Sequence, residues 1–214
     1  MPVPMLNGIW GETLNPDARV VAAMFDRLDA SELPYCLQLR PGTSKEITDQ
    51  AVARGMHQGD AVPLMVLEDP ARLEPALQVE GLVIRALAPE EGAAHISIAA
   101  DAFGMPAELF AQLMTPEMLA TEGLCCYVGE AGGEHVTTGM GVTLGRFVAI
   151  FNIATPSQHR GRGYGAAVTA RAASDGIAAG AQWAWLQSSP AGHHLYERLG
   201  FTTVERWDCW VSTT

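Results

Sequence analysis

The sequence is short of basic residues: 13 lysines and arginines stand against 24 aspartates and glutamates, which gives a formal net charge of -11. Nucleic acids and anionic membrane surfaces select basic protein faces. The shortage therefore argues against both as the main partner, and it mildly favours a cationic substrate.

Long hydrophobic runs are also missing. No stretch approaches the roughly 18 apolar residues that a membrane-spanning helix requires, and the first six residues, MPVPML, lack the basic segment that opens a secretory signal. We therefore expect a cytoplasmic protein. With 48% hydrophobic residues in a chain of 214, a substantial core can be buried.

Cysteine and histidine are too few and too scattered to indicate a metal site or a disulfide framework. The four cysteines lack Cys-x-x-Cys spacing, and the six histidines lack the i, i+4 spacing that places two ligands on one helix face. The neighbours Cys125 and Cys126 are badly placed to form a disulfide with each other. We expect reduced core thiols and no metal.

What the sequence does contain is a run of glycines and arginines between an apolar strand and a helix. Residues 160–165 read RGRGYG, residues 147–154 before them are almost entirely apolar, and the alanine-rich segment 166–179 follows them. Glycine lets backbone N–H groups converge on one point, a helix N-terminus adds partial positive charge, and arginine adds full charge. This order predicts a site for a pyrophosphate-bearing ligand.

Hydrophobic periodicity predicts a mixed α/β protein in two unequal parts. The predicted strands are residues 35–39, 62–67, 82–87, 126–128, 135–142, 147–154, 183–187 and 203–211, and the predicted helices are residues 16–28, 44–56, 93–103, 107–113, 166–179 and 191–199. Segment 68–75 resembles a linker. We therefore predict an N-terminal part over residues 1–75 and a main domain over residues 81–214.

The two parts show the same order of elements: helix, strand, helix ending at a glycine, strand. In the N-terminal part the second helix ends at Gly55, and in the C-terminal part it ends at Gly200. One interpretation is that the N-terminal part is a degenerate half-copy of the C-terminal fold without a glycine cradle of its own. The other is the ordinary alternation of any α/β chain, and the sequence leaves both open.

Two motifs carry a family resemblance. Residues 160–165 fit the [Gln/Arg]-x-x-Gly-x-[Gly/Ala] signature of the GNAT superfamily of acyl-CoA-dependent N-acetyltransferases, and residues 195–201, LYERLGF, resemble its second signature. The resemblance spans about residues 81–211. A register that starts at Gln158 also fits, but the register from Arg160 puts Gly163 and Gly165 at the helix start, as the family has them. The resemblance implies a GNAT acyltransferase fold preceded by a degenerate GNAT-like half-domain.

The resemblance also implies roles for particular residues. The backbone of the strand before the glycine turn would bind the pantetheine arm of acetyl-CoA, and the glycine turn would hold the pyrophosphate. Tyr196 occupies the position of the usual general acid, and Ser189 occupies the position of an asparagine that commonly contacts the cofactor. The cofactor-binding set is then Ile153, Ala154, Thr155, Arg160, Gly161, Arg162, Gly163, Tyr164, Gly165 and Ser189.

The implied reaction is attack of a primary amine, on a small molecule or a peptide, at the thioester carbonyl through a tetrahedral intermediate. In the family, the strand before the glycine turn carries a bulge, and many members use a glutamate on that strand as the base. Residues 151–155 contain no carboxylate. We therefore expect a water relay with Asn152 as the catalytic candidate, and with Glu134 and His135 as weaker ones. The acceptor amine, the acyl length and assembly as a homodimer stay open.

Other functions than acetyl transfer remain as alternatives. Gly161, Gly163 and Ala166 also satisfy a relaxed dinucleotide-binding fingerprint, but the acidic residue that should follow the next strand is absent. A non-catalytic acyl-CoA-binding module is favoured by the missing strand carboxylate. In a structural interpretation, Tyr196 is half-buried core and the arginines are surface charges.

Overall fold

The computed structural model describes residues 3–212, and it confirms the predicted α/β class with parallel and antiparallel strands. The chain forms two compact units. Among the described residues, the first consists of residues 3–64 together with residues 203–212, and the second consists of Met65–Thr202.

The first unit has helices that cover one small sheet. Its elements are β1 (Gly8–Gly11), α1 (Ala18–Asp29), β2 (Cys36–Leu39), α2 (Lys45–Ala53), β3 (His57–Gln58), the start of β4 (Val62–Leu67) and most of β10 (Phe201–Val211). A short 3-10 helix, Pro4–Leu6, precedes them. The carboxylate of Asp17 caps α1 by accepting a hydrogen bond from the N–H of Arg19 at 2.8 Å. Side chains from α1, α2 and both parallel strands form one core, which includes Ile9, Val21, Phe25, Leu37, Leu39, Ile47 and Met56.

The C-terminal strand belongs to this sheet. β1 pairs in parallel with β2, and β10 pairs antiparallel with β2, with Asp208 opposite Leu39 and Val211 opposite Cys36. The compact units therefore have other boundaries than the predicted 1–75 and 81–214. That 1–75 is a degenerate half-copy stays a prediction.

The second unit is built on a meander followed by a crossover. After the end of β4 its strands are β5 (Leu82–Ala86), β6 (Leu124–Ala131), β7 (Glu134–Leu144), β8 (Phe147–Ala154), β9 (Trp183–Gln187) and the start of β10, and its helices are α3 (Gly92–Phe103), α4 (Ala107–Ala111), α5 (Pro116–Leu119), α6 (Tyr164–Ala178) and α7 (His193–Arg198). Short 3-10 helices lie at Pro89–Glu91 and Ser157–His159. β5 to β8 pair antiparallel in chain order, and β9 pairs in parallel with β8 after the α6 crossover. The core under α6 includes Tyr127, Val148, Ile150, Val168, Ala172, Leu186 and Phe201.

The segment predicted as a linker is part of this core. Residues Pro70–Leu77 form a 3-10 helix, whose first turn is capped by the carboxylate of Asp69. Leu73 is only 1% exposed and packs in the cluster under α6, whereas Leu77 on the same helix is 42% exposed. The linker prediction was wrong because a single apolar side chain anchors an otherwise polar, proline-rich segment.

Leu73→Ala should lower the free energy of unfolding by about 2 to 5 kcal/mol, because a buried leucine leaves a cavity when it is truncated. Leu77→Ala is the matched control and should change it by less than about 0.5 kcal/mol. Urea unfolding measures the free energy of unfolding of both variants. Equal effects would show that the helix does not anchor the second unit.

A histidine lies at the centre of the second unit. His95 on α3 is fully buried, and its Nδ1 lies 2.7 Å from Oγ1 of Thr138 on β7. The Thr138 hydroxyl donates to the carbonyl of Tyr127 at 2.6 Å, so Nδ1–H of His95 is the donor to Thr138. Nε2 is buried without a partner among the described residues. Desolvation lowers the pKa of His95 to about 4.

Because this pKa is depressed, the unfolded chain takes up a proton before the folded chain does. The stability that neutral His95 supports is present above about pH 6.5, and it is lost as the pH falls towards the folded value of about 4. Between these limits the cost is up to about 3 kcal/mol, at roughly 1.4 kcal/mol per pH unit. His95→Gln should flatten this part of a stability–pH curve measured by denaturant unfolding. The exposed His57→Gln should leave the slope as in the wild type, and equal slopes for all three proteins would contradict the assignment.

Candidate functional site

Strand β8 is irregular near its end. Met140 on β7 lies opposite Phe151, but Thr138, two residues earlier on β7, lies opposite Ala154, so β8 holds one extra residue in this interval. Asn152 within the interval has a φ of 50°, which is uncommon for a residue other than glycine. These two features define a β-bulge, which bends the strand and interrupts its ladder of hydrogen bonds.

β8 and β9 pair over a short stretch only. The pairing runs from Phe147 opposite Trp183 to Ala149 opposite Trp185. Both strands continue beyond it, β8 to Ala154 and β9 to Gln187. The bulge and the end of this pairing lie at the carboxyl ends of two parallel strands, where ligands bind in α/β proteins.

The glycine turn that follows β8 leads directly into α6. Gly161 has a φ of 77°, and Gly163, the N-cap of α6, has a φ of 82°, so both take up a backbone conformation that other residues adopt with strain. The first helical bond joins the N–H of Ala167 to the carbonyl of Gly163 at 2.9 Å. The N–H groups of residues 164–166 therefore have no acceptor within the helix, and they carry the positive end of its dipole.

A groove of about 310 Å³ lies over this turn. Its lining comes from the end of β8, the glycine turn, the start of α6 and α7, namely Thr155, His159, Arg160, Gly161, Gly163, Tyr164, Gly165, Ala166, Ala191, His194, Leu195 and Arg198. Two arginines in one groove of a chain with a net charge of -11 form a local positive site. Such a lining suits an anionic ligand.

Arg160 lies in the groove, and two of its five N–H donors bind backbone carbonyls. Its Nε donates to the carbonyl of Thr155 at 2.9 Å, and an Nη donates to the carbonyl of Ala102, after the middle of α3, at 3.1 Å. The guanidinium thus ties the glycine turn to the end of β8 and to α3. Arg162 is exposed and does not line the groove. Arg160 therefore stabilises the position of the glycine turn, and its sequence pattern does not reveal this bracing role.

The three predicted pantetheine contacts follow the bulge. Ala154 is buried, and its carbonyl accepts a hydrogen bond from the Thr137 hydroxyl at 3.0 Å. The same hydroxyl lies 2.9 Å from Oγ1 of Thr155, which lines the groove. Ile153 is half-buried, packs against the core and lies over Gly139, where a Cβ would come within 2.5 Å of its Cδ1.

Asn152 and Ser189 lie outside the groove. The Nδ2 of Asn152 is directed at the sulfur of Met140, 3.6 Å away. The hydroxyl of Ser189 accepts a hydrogen bond from the N–H of Gly192 at 3.2 Å, which closes the turn before α7. Their contributions to catalysis and cofactor binding remain predictions.

Tyr196 on α7 is half-buried against the core under α6, with its ring 6.1 Å from that of Phe201. Burial raises the pKa of Tyr196 to about 12, so its hydroxyl stays protonated at neutral pH.

The two weaker base candidates lie at the β6–β7 turn. His135 pairs through Nε2 with Glu130 at 3.2 Å, and Glu134 lies 4.0 Å from Nε2 of His159.

Sequence reasoning missed two polar residues of the groove, His159 and Arg198, and His194 on α7 lines it as well. The Nδ1 of His159 is buried and has no hydrogen-bond partner among the described residues. Arg198 stands inside the second motif, so its charge was visible in the sequence. What the sequence does not reveal is that α7 carries Arg198 to the glycine turn.

Residues 122–203 match the family model of the acetyltransferase (GNAT) domain, which covers β6 to the start of β10. This match confirms the resemblance to the GNAT superfamily that the two motifs indicated. No curated protein matches the chain in sequence.

Solved structures show the same fold over most of the chain. A GCN5-related N-acetyltransferase from Kribbella flavida superposes with a TM-score of 0.69 at 22% identity, over 94% of this chain and 78% of its own. One from Sphaerobacter thermophilus gives 0.64 at 20% identity, over 88% and 64%. A tandem GNAT protein of the clavulanic acid biosynthesis pathway gives 0.62 at 15% identity, over 91% and 68%. Helices of the described residues are all too short or too polar to cross a membrane.

Arg160→Ala should weaken the binding of coenzyme A by about tenfold or more, because it removes a positive charge from the groove and both bonds that hold the glycine turn. Isothermal titration calorimetry measures the change. Arg146→Ala is the control, since Arg146 bonds to Gln182 and lies outside the groove. Unchanged affinity in Arg160→Ala would remove Arg160 from the binding site.

Proposed function

We propose that this chain is an N-acetyltransferase that moves an acetyl group from acetyl-CoA to a primary amine of a small molecule or a peptide. In this proposal the groove over residues 160–165 holds the pyrophosphate, and residues 153–155 bind the pantetheine arm. The observation that carries the proposal is the order of three features along the chain: a bulge in β8, the glycine turn, and the N-terminus of α6. This succession offers backbone donors at both ends of one extended ligand.

The chemistry asks for three things from the protein. The amine must lose a proton, the oxyanion of the tetrahedral intermediate needs donors already aimed at it, and the departing thiolate takes up a proton. Bulged backbone near Asn152 is suited to the second task, since its N–H groups are released from the ladder. For the first task we propose a water held near Asn152. For the third we propose the hydroxyl of Tyr196.

Two other functions are separated from this one by simple measurements. A non-catalytic acyl-CoA-binding module would bind acetyl-CoA without releasing thiol, and a dinucleotide-dependent oxidoreductase would bind NAD. The deciding experiment is a thiol-release assay with acetyl-CoA and a panel of primary amines, combined with titrations of acetyl-CoA and NAD. If acetyl-CoA binds but no amine in the panel releases thiol or gives an acylated product by mass spectrometry, the protein is a non-catalytic binding module.

Tyr196→Phe should lower kcat by about 10- to 100-fold, because it removes a hydroxyl from the leaving-group side while thiolate already departs readily. The ring and its contact with Phe201 remain, so Tm and KM for acetyl-CoA should barely change. Steady-state kinetics on an amine that the wild type acetylates measures both constants. Full kcat in the variant would assign Tyr196 to the core alone.

A further inference from the structure

Four aromatic side chains lie on β8 and β9 where the pairing of these two strands ends. The ring of Phe147 stacks on that of Trp183 with centroids 5.5 Å apart, and the ring of Phe151 meets that of Trp185 edge to face at 5.8 Å. Phe147 is 48% exposed and Phe151 is 42% exposed. A group of exposed aromatic rings, unlike a single one, is typical of a binding surface. The proposed mechanism does not use these rings.

All four rings lie on the face of the sheet opposite α6. Along β8, Val148 and Ile150 alternate with the two phenylalanines and pack in the core under α6. Along β9, Ala184 and Leu186 alternate with the two tryptophans and pack in the same core. Successive side chains of a strand point to opposite faces, so the rings share the face that α6 does not cover.

The bulge places Asn152 on this same face. Met140 of β7 lies opposite Phe151, and it packs with Ile96 of α3 on the side of the sheet away from α6. The Nδ2 of Asn152 is directed at the sulfur of Met140. In a regular strand Phe151 and Asn152 would point to opposite faces, but the extra residue of the bulge brings them to one face. The rings therefore adjoin the residue near which we propose the water that takes the amine proton.

The acceptor amine consequently has to approach over the rings. On the α6 face, the core that contains Val148 and Leu186 covers β8 and β9. On the opposite face, Phe151 is exposed directly before the bulge, and Trp185 is the last residue of β9 that pairs with β8. These two side chains flank the opening between the strands, one on each strand.

The two ring pairs differ in what already contacts them. The guanidinium carbon of Arg146 lies 4.7 Å from the ring centroid of Trp183, and its Nε donates to Oε1 of Gln182 at 2.9 Å. This cation covers the pair that lies farther from the bulge. The cation–ring contacts of the described residues do not include Phe151 or Trp185. The ring pair beside the bulge is therefore the one left for a ligand.

We propose that Phe151 and Trp185 bind the apolar body of the acceptor, and that the acceptor is a small primary amine joined to an aromatic ring by a short alkyl chain. This inference rests on the proposed acetyltransferase function and narrows its acceptor. An aromatic body packs against both side chains in offset or edge-to-face geometry. A hydroxylated or polyamine acceptor would lose hydrogen bonds to water against ring faces that accept them only weakly. One ring pair matches one such body, whereas a peptide would need contacts for its further residues.

Steady-state kinetics with matched amines tests the acceptor class. In the wild type, kcat/KM for 2-phenylethylamine should exceed that for propylamine or ethanolamine by about tenfold or more, because only the first amine buries a ring. Phe151→Ala and Trp185→Leu should each lower the ratio of 2-phenylethylamine to propylamine by about fivefold or more. Phe147→Ala is the matched control, since Phe147 lies on the same face of the same strand at similar exposure but in the pair that Arg146 covers. It should keep the wild-type ratio.

Three results would overturn the assignment. They are a wild-type ratio near one, a ratio that Phe147→Ala lowers as much as Phe151→Ala does, and a higher kcat/KM for a dipeptide with N-terminal phenylalanine than for 2-phenylethylamine.

A binding measurement separates this inference from the proposed function. Calorimetric titration of 2-phenylethylamine in the presence of excess coenzyme A reports the amine site without turnover. Phe151→Ala should weaken this binding by about fivefold or more, and Phe147→Ala should leave it unchanged. If the wild type binds the amine in this way but acetylates no amine, the proposed function fails and the amine site stands. If the wild type acetylates propylamine and binds it as tightly as 2-phenylethylamine, the function stands and this inference fails.

Discussion

The site depends on a missing set of backbone hydrogen bonds. One extra residue in β8 breaks its ladder with β7, and the pairing of β8 with β9 ends at Ala149 and Trp185. Backbone polar groups in a protein interior are normally paired, so a site that leaves them open is stable only if its surroundings hold it. The packed α3 on one strand face and the α6 core on the other supply that support. The glycine turn and the groove follow directly from where β8 ends.

The side chains around the bulge in β8 support it with few charged contacts. The Thr137 hydroxyl holds the carbonyl of Ala154, and Arg160 holds the carbonyl of Thr155. Below them, His95 and Thr138 link α3 to β7 beside the bulge. These hydrogen bonds go to backbone carbonyls or to a buried neighbour, although Nε2 of His95 has no partner among the described residues. They hold the backbone beside the bulge in place.

Local sequence patterns predicted the elements that form the site well. Strands 62–67, 147–154 and 183–187 coincide with β4, β8 and β9, because each is a mostly apolar stretch bounded by a turn residue or an acidic one. The four-residue β1, with two glycines, was missed because it offers no periodicity. The bracing role of Arg160 could not be predicted, since its second partner, Ala102, lies 58 residues away. The hydroxyl of Ser188 lies 3.0 Å from Nδ1 of His193. The two are five residues apart, and only the fold of the intervening turn makes them neighbours.

The bonds of Arg160 also bear on the entropy of ligand binding. A loop with glycines at 161 and 163 has many conformations available, and ordering it on contact with a ligand would consume part of the binding free energy. Two hydrogen bonds from the Arg160 side chain, to carbonyls at the end of β8 and on α3, restrict the start of this loop. These contacts within the protein reduce the number of conformations that the loop can adopt. The entropy that a ligand must remove to order this loop is lower by the part that Arg160 already removes.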